Sequence, residues 1–427
     1  MRKNWILIVA FLLTACGGGG SEPPKAVAQV TPTTPLVVQT KPEDDFIRVK
    51  DGDFYLNGKV FKFGGNVADW IHRVDTPSID NAFKDYSELN LKVIRIWAYT
   101  DIGSIDNTVP NLYKDWQWSV QTAPYFQYWD TNTNSVKVNE AGIKNLDRLL
   151  DSARRNNFKV IMTLTNNWAN GGGVDQYNVW FKSKYHDDFY TKPEIKSAFK
   201  NWISTLVNRT NTLNGKKYKD DPTIFSWELG NELFCFTDNY SWRAVAFLRS
   251  PSCNSKTITS WADEMSSYIK SIDPNHLVSM GNIGFLNRNK NYHYITNEGD
   301  DFEETIALPN IDFGTFHIYM DEKPYYLDYD FATTWIKEHV DIANKFKKPI
   351  VMEEFGHKLP ESRDQAITHM LETFTKLGGD GWLVYNVPVM ILPWNTPLGG
   401  EGFQDYAITK NSSAGAILKR YAEMISR

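Results

Sequence analysis

The sequence runs to 427 residues and carries 46 Lys+Arg against 51 Asp+Glu, a formal net charge of −5. That balance offers no basic face to displace counterions, so nucleic-acid binding is not expected. The length fits two or three ordinary domains or one large barrel, and aromatics at 14% with 15 Trp exceed what a core alone needs, which suits a surface for flat, weakly polar ligands such as sugar rings.

At the start of the chain, Arg2 and Lys3 precede the apolar run WILIVAFLLTA, too short to cross a bilayer as a mature helix. A basic segment followed by such a run reads as a secretory signal. It ends in Leu13-Thr14-Ala15-Cys16, which resembles the lipobox of bacterial lipoprotein signals and implies cleavage before Cys16 and acylation of that residue. The expectation is a signal peptide over 1–15, a lipidated Cys16 with a flexible Gly/Pro/Thr linker over 16–44, and a catalytic domain over 45–427. Such a protein would sit on the bacterial outer membrane, held there by its lipid. The remaining two cysteines, Cys235 and Cys253, form an even pair in an exported chain and most simply make a disulfide.

From Asp45 onward, short apolar strands alternate with amphipathic helices. FYLNGKVFKFGGN opens with a hairpin around Asn57-Gly58 and runs into a first barrel strand ending at Gly64-Gly65-Asn66. Seven further strands are expected in KVIRIWA (92–98), FKVIMTLT (158–165), TIFSWELGNE (223–232), HLVSMGN (276–282), DFGTFHIYM (312–320), PIVMEEFG (349–356) and GWLVYNV (381–387). Helices are expected over 141–157, 197–212, the stretch after Thr259, Phe331 to Phe346, 362–377 and 413–426. Eight strands in βα alternation predict a (β/α)8 TIM barrel. An open doubly wound sheet is the alternative, but no Gly-rich phosphate turn follows any strand. The long segments 99–140, 166–197, 233–259, 283–311 and 388–412 all follow strand ends, which places long loops on the C-terminal face, where barrels do their chemistry.

Two strands end in glutamates, WELGNEL (227–233) and VMEEFG (351–356). Hydrolysis of a glycosidic bond needs two carboxyls, a protonated acid at the leaving oxygen and an ionised group on the far face. Each motif offers two. Glu228 lies four residues before Glu232, deeper in the barrel, where a structural role is expected. Successive strand residues face opposite sides, so Glu353 and Glu354 are not both expected to point into the bowl.

The pattern Asn231-Glu232, His317-x-Tyr319 and Glu354-Phe355-Gly356 resembles glycoside hydrolase family 5, over essentially the whole chain after the linker. The resemblance implies that Glu232 is the acid/base and Glu354 the nucleophile. It further implies that Asn231 binds the sugar 2-hydroxyl, Tyr319 holds Glu354, His317 lies within reach of the acid/base and Arg95 lies under the nucleophile. Within the family, the likeness is to endo-β-1,4-mannanases, through LTNNW (164–168), Gln176-Tyr177-x-x-Trp180 and a Cys soon after the acid/base. Asn167 and Trp168 would then line the glycone side of the cleft, and Trp382 or Tyr385 would be the sugar floor at the end of the last strand.

One departure concerns the sequence after the acid/base, NELFC, where Leu233 and Phe234 replace the Pro and Arg common in mannanases. The expected substrate is a β-mannan-class polysaccharide, with a family 5 endoglucanase or a non-catalytic glycan-binding lipoprotein as alternatives. No zinc-ligand spacing or Cys-His nucleophile pattern occurs; no metal or organic cofactor is implied, and a monomer is expected.

Overall fold

A computed structural model describes residues 45–112, 125–235, 247–287, 299–321, 327–398 and 405–427. Cys16, with the expected signal peptide and linker, lies outside them. Eight short runs rich in β-branched and aromatic residues form the strands β1 (Phe63–Val67), β2 (Val93–Trp97), β3 (Lys159–Thr163), β4 (Ile224–Glu228), β5 (Leu277–Ser279), β6 (Gly314–Tyr319), β7 (Ile350–Gly356) and β8 (Gly381–Val384). Each precedes a helix: α1 (Thr76–Glu88), α2 (Glu140–Arg155), α3 (Pro193–Val207), α4 (Ser255–Ile272), α5 (Phe302–Ile306), α6 (Tyr329–Phe346), α7 (Pro360–Lys376) and α8 (Ser413–Ile425).

The strands make one parallel sheet in the order β5-β4-β3-β2-β1-β8-β7-β6. Its two ends meet where Asp312 N–H donates to the Val278 carbonyl (2.8 Å) and His317 N–H to the Ile283 carbonyl (3.0 Å). The expected barrel is therefore present. Its lower interior is filled by one apolar side chain from each strand or its start: Phe63, Val93, Ile161, Phe225, Leu277, Phe313, Val351 and Leu383. Below them the hairpin Asp53–Leu56/Lys59–Val60, joined by a third strand Arg48–Lys50, closes the bottom. Its Phe54 ring meets Phe225 and Phe313 edge-on at 5.1 and 5.2 Å. Burying such a ring contributes roughly 1.5–3 kcal/mol.

A second, larger cluster fills the space between strands and helices. Helix α1, not among the expected helices, is legible in retrospect: Asp75 accepts from the Ser78 N–H (3.0 Å), Pro77 lies in the first turn, and Ile79, Ala82, Phe83 and Tyr86 share a buried face. Helix α3 begins at Pro193, earlier than expected, because Pro is favoured in a first turn. The 99–140 insertion carries a small sheet of its own, Asp101–Ser104, Gln127–Asp130 and Ser135–Val138.

Candidate active site

The upper half of the barrel interior is polar. Arg95 on β2 points inward between Val93 below and Trp97 above, and is fully buried. Its Nε donates to Glu228 Oε1 (2.8 Å), Nη1 to Glu354 Oε1 (2.5 Å) and Nη2 to Asn231 Oδ1 (2.9 Å). Burial opposes its charge, but Glu228, Glu353 and Glu354 outweigh it and hold the guanidinium protonated.

Glu354, 5% exposed, receives that guanidinium on one oxygen and the Tyr319 hydroxyl on the other (2.6 Å). Glu353 also faces inward, 3.7 Å from both Arg95 Nε and His317 Nε2. This corrects the expectation that two adjacent glutamates face opposite sides. The ladder shifts register between Phe316 and His317 on β6 and again between Met352 and Phe355 on β7, and that bulge turns Glu354 in above Glu353. Glu228 keeps its structural place, accepting from Arg95 and from Thr163 (2.8 Å). Burial pushes Glu228 well above the ordinary carboxylate range. For Glu353 burial acts the same way but is outweighed by Arg95 and His317, which hold it to about 2.

Glu232 lies beyond the end of β4 with φ +52°, a backbone region uncommon outside glycine. Its N–H donates to the Gly281 carbonyl (2.8 Å). A side chain at Gly281 would meet the Gly230 carbonyl at 2.0 Å, so this close approach requires glycine. His317 Nδ1 lies 2.6 Å from Glu232 Oε1, and Trp168 Nε1 donates to Oε2 at 2.5 Å. Burial raises the Glu232 carboxyl, but the His317 and Trp168 hydrogen bonds bring it below its usual value. Burial likewise disfavours His317 charge, yet Glu354, Glu232 and Glu353 raise it to about 10, so the ring is an imidazolium at neutral pH.

Oxygens of Glu232 and Glu354 and a His317 nitrogen all lie within 4.8 Å of one another, which among the described residues is also the one group able to hold a metal ion. Each of the four carboxylate oxygens already faces a donor: Arg95, Tyr319, His317 or Trp168. The arrangement thus presents two carboxyls across one gap, each with its own hydrogen-bond support.

Of the sequence-predicted residues, Asn231 sits beside this gap, bonded to Arg95 and, through Nδ2, to Asn166 Oδ1 (3.0 Å). Trp168 is half-buried and its indole touches Glu232 directly. Tyr385 lies above β8, its ring edge-on to Tyr319 (6.0 Å) and its hydroxyl donating to Asp69 (3.2 Å). Two placements differ from expectation. Trp382 is not a sugar floor: it is wholly buried on the outer side of the barrel wall, against Phe355 and over Gly64, where a β-carbon would lie 2.5 Å from its ring. Asn167 is buried behind Trp168, its Oδ1 occupied by His186 (2.9 Å) and the Phe234 N–H (3.3 Å), rather than lining the cleft. The Cys235–Cys253 disulfide forms, and Leu233 and Phe234 between it and Glu232 are buried, with Phe234 edge-on to Trp168 at 5.4 Å.

Four further residues near the site were not singled out from sequence. Asp69, two residues past β1, has its carboxyl raised to about 7, chiefly by burial and then by Glu354. Tyr406 packs on Tyr319 (5.3 Å) and donates to Asp321 (2.7 Å). His186 and Asp175 form a buried pair behind Asn167. The position of Asp69 just beyond a barrel strand was an available signal; the other three depend on loop paths.

Residues 39–377 match the family described as glycoside hydrolase family 5 beta-mannosidase-like. The chain is 33% identical over 322 residues to "Probable mannan endo-1,4-beta-mannosidase C" of Aspergillus terreus, covering 74% of each chain. It is 30% identical over 320 residues to "Probable mannan endo-1,4-beta-mannosidase F" of Neosartorya fischeri, covering 73% of this chain and 62% of that protein. The crystal structure of an endo-1,4-beta-mannanase from Rhizomucor miehei superposes with TM-score 0.77 at 31% identity, covering 89% of this chain and 99% of that one.

Proposed function

The chain belongs to glycoside hydrolase family 5, in its β-mannosidase-like group, and from that premise we propose that it cleaves internal β-1,4-mannosidic bonds of mannan, glucomannan or galactomannan with retention of configuration. The observation that carries the stereochemistry is the gap: oxygens of Glu232 and Glu354 approach within 4.8 Å. Retaining enzymes hold their carboxyls roughly 5–5.5 Å apart, whereas inversion needs roughly 6.5–9.5 Å to admit a water between sugar and base.

Glu354, paired with the Arg95 guanidinium, attacks the anomeric carbon and forms a glycosyl ester. Tyr319 steadies its second oxygen. The proton for the leaving oxygen resides on the His317–Glu232 pair, whose 2.6 Å bond lets it pass to Glu232 as the glycosidic oxygen arrives. Glu232 then takes a proton from the water that resolves the ester. Tyr385 is the floor under the glycone sugar. Leu233 and Phe234, both buried, stand where mannanases commonly carry Pro and Arg, so that position offers no cation to an aglycone sugar.

Reducing-sugar release on mannan, carboxymethyl-cellulose and mixed-linkage glucan, followed by proton NMR of the first-formed product, tests this reading. Release from mannan with an initial β-anomer is expected. Activity confined to the glucans would move the substrate to β-glucan, and an initial α-anomer would overturn Glu354 as nucleophile.

We also propose that the enzyme hangs from the outer membrane by an acylated Cys16 on the 16–44 linker. The lipobox-like Leu13–Cys16 supports this, and multiple acyl chains suffice for stable anchoring. Among the described residues no helix is long and apolar enough to cross a membrane. Membrane fractions should hold the wild type and lose Cys16→Ser; equal solubility of the two would refute the anchor.

A further inference from the structure

Behind the acid/base lies a buried ionisable pair that takes no part in the chemistry above. Asp175, on the loop helix Gly173–Trp180, is 1% exposed, and His186, beyond the end of that helix, is fully buried. Asp175 Oδ1 lies 2.8 Å from His186 Nδ1, and His186 Nε2 lies 2.9 Å from Asn167 Oδ1. The Phe234 N–H donates to that same Asn167 atom (3.3 Å), which identifies it as the amide oxygen. His186 therefore donates from Nε2, and the Asp175 carboxylate faces the other ring nitrogen.

The chain of contacts continues to the reacting group. The Phe234 carbonyl accepts from the Tyr190 hydroxyl (3.3 Å), so that residue is held at both its N–H and its C=O. Its ring braces Trp168 edge-on, and Trp168 donates to Glu232 Oε2 at 2.5 Å. The Asn167 N–H in turn donates to the Asn231 carbonyl (3.0 Å). Residues 166–168 and 231–235 lie past the strand ends, where a single parallel bridge, Asn166–Asn231, still joins them, and the aim of the Trp168 side chain beyond that bridge depends on loop contacts. Burying an aspartate and a histidine is costly unless they find partners: Asp175 Oδ1 meets His186 and the Asn178 Nδ2 amide (3.3 Å), and His186 in turn meets Asn167, the group that joins the two loops.

We infer that Asp175 and His186 are positioning residues for the acid/base, orienting the Asn167 amide so that the loops after β3 and β4 close and the Trp168 indole is aimed at Glu232. The inference rests on Glu232 being the acid/base of a mannan-cleaving enzyme. A displacement of the order of 1 Å at such a group costs about 100-fold in rate.

The test uses the difference between substrates that need a proton and those that do not. The full-length protein with His186→Ala, and separately with the size-conserving Asp175→Asn, is assayed on mannan and on 2,4-dinitrophenyl β-mannobioside. Expected is a fall in kcat/KM of about 10- to 100-fold on mannan against no more than about 3-fold on the aryl glycoside, whose leaving group departs without protonation. Asp175→Asn should show the same skew at smaller amplitude, and it decides the matter if His186→Ala does not fold. Equal losses on the two substrates would reveal a merely structural pair and overturn the inference, as would no loss on either. Failure of the mannanase reading appears instead in the wild type; the ratio is then read on the β-glucan it cleaves and the matching aryl cellobioside.

Discussion

Glu354 and Glu232 face one gap but are held by different kinds of structure. Glu354 lies near the end of β7 and takes its donors from other strands of the same sheet, Arg95 on β2 and Tyr319 on β6. Glu232 sits past the end of β4 with a left-handed backbone, and its donors are His317 and a loop indole, Trp168. The group proposed to remain ionised until it bonds carbon has a fixed positive charge beside it. The group proposed to alternate between acid and base has a titratable partner and a neutral donor. A permanent cation suits a permanent state; a histidine suits a proton that must move. The disulfide belongs to the second side, closing the loop that begins three residues after Glu232, so a covalent link braces the chain beyond the end of the strand.

The sharpest test of this asymmetry removes each carboxyl in turn. Glu354→Ala should abolish turnover on every substrate, because no other group can form the ester. Glu232→Ala should lower kcat/KM on mannan by about 10²–10⁴-fold while largely sparing the first step on dinitrophenyl mannosides, with azide then yielding a β-glycosyl azide. Comparable loss on both substrates in Glu232→Ala would erase the distinction between the two sides.

A smaller effect should appear in the pH dependence of stability. His317 is raised from 6.5 to about 10 in the fold, so its protonation contributes stability that is complete below pH 6.5 and is lost as pH rises through about 10. Melting of the wild type and of His317→Gln, followed between pH 6 and 10, should converge toward the alkaline end. Parallel curves would mean that the ring carries no charge in the folded protein, and that Glu232 lacks the partner that sets it apart from Glu354.

How far the site could be read before the fold differs between the two sides as well. Arg95 and Tyr319 lie on strands, where a period of two and a strand's C-terminal end suffice to place a side chain. The same period resolves the choice between Trp382 and Tyr385. Leu383 is inside the barrel, so its neighbour Trp382 is outside, and Tyr385, two positions on, returns to the inner side above the strand. The rule fails at Glu353 and Glu354 because a bulge adds a residue, and no composition marks it.

The sequence by itself determined the barrel, its strand order around the chain and the two strand ends that carry glutamates, because burial on both faces of a parallel sheet writes apolar runs of fixed length and the polar residues that interrupt them stand out; the choice of Glu232 and Glu354 among those glutamates came from the resemblance to family 5. The tertiary structure alone decided which atoms meet. Three placements depended on it: the left-handed turn at Glu232, the indole of Trp168 on its carboxylate, and the Asp175–His186 pair behind Asn167. Those contacts join segments far apart in the chain through loops, where no periodicity constrains the path and each position is settled by the packing of its neighbours.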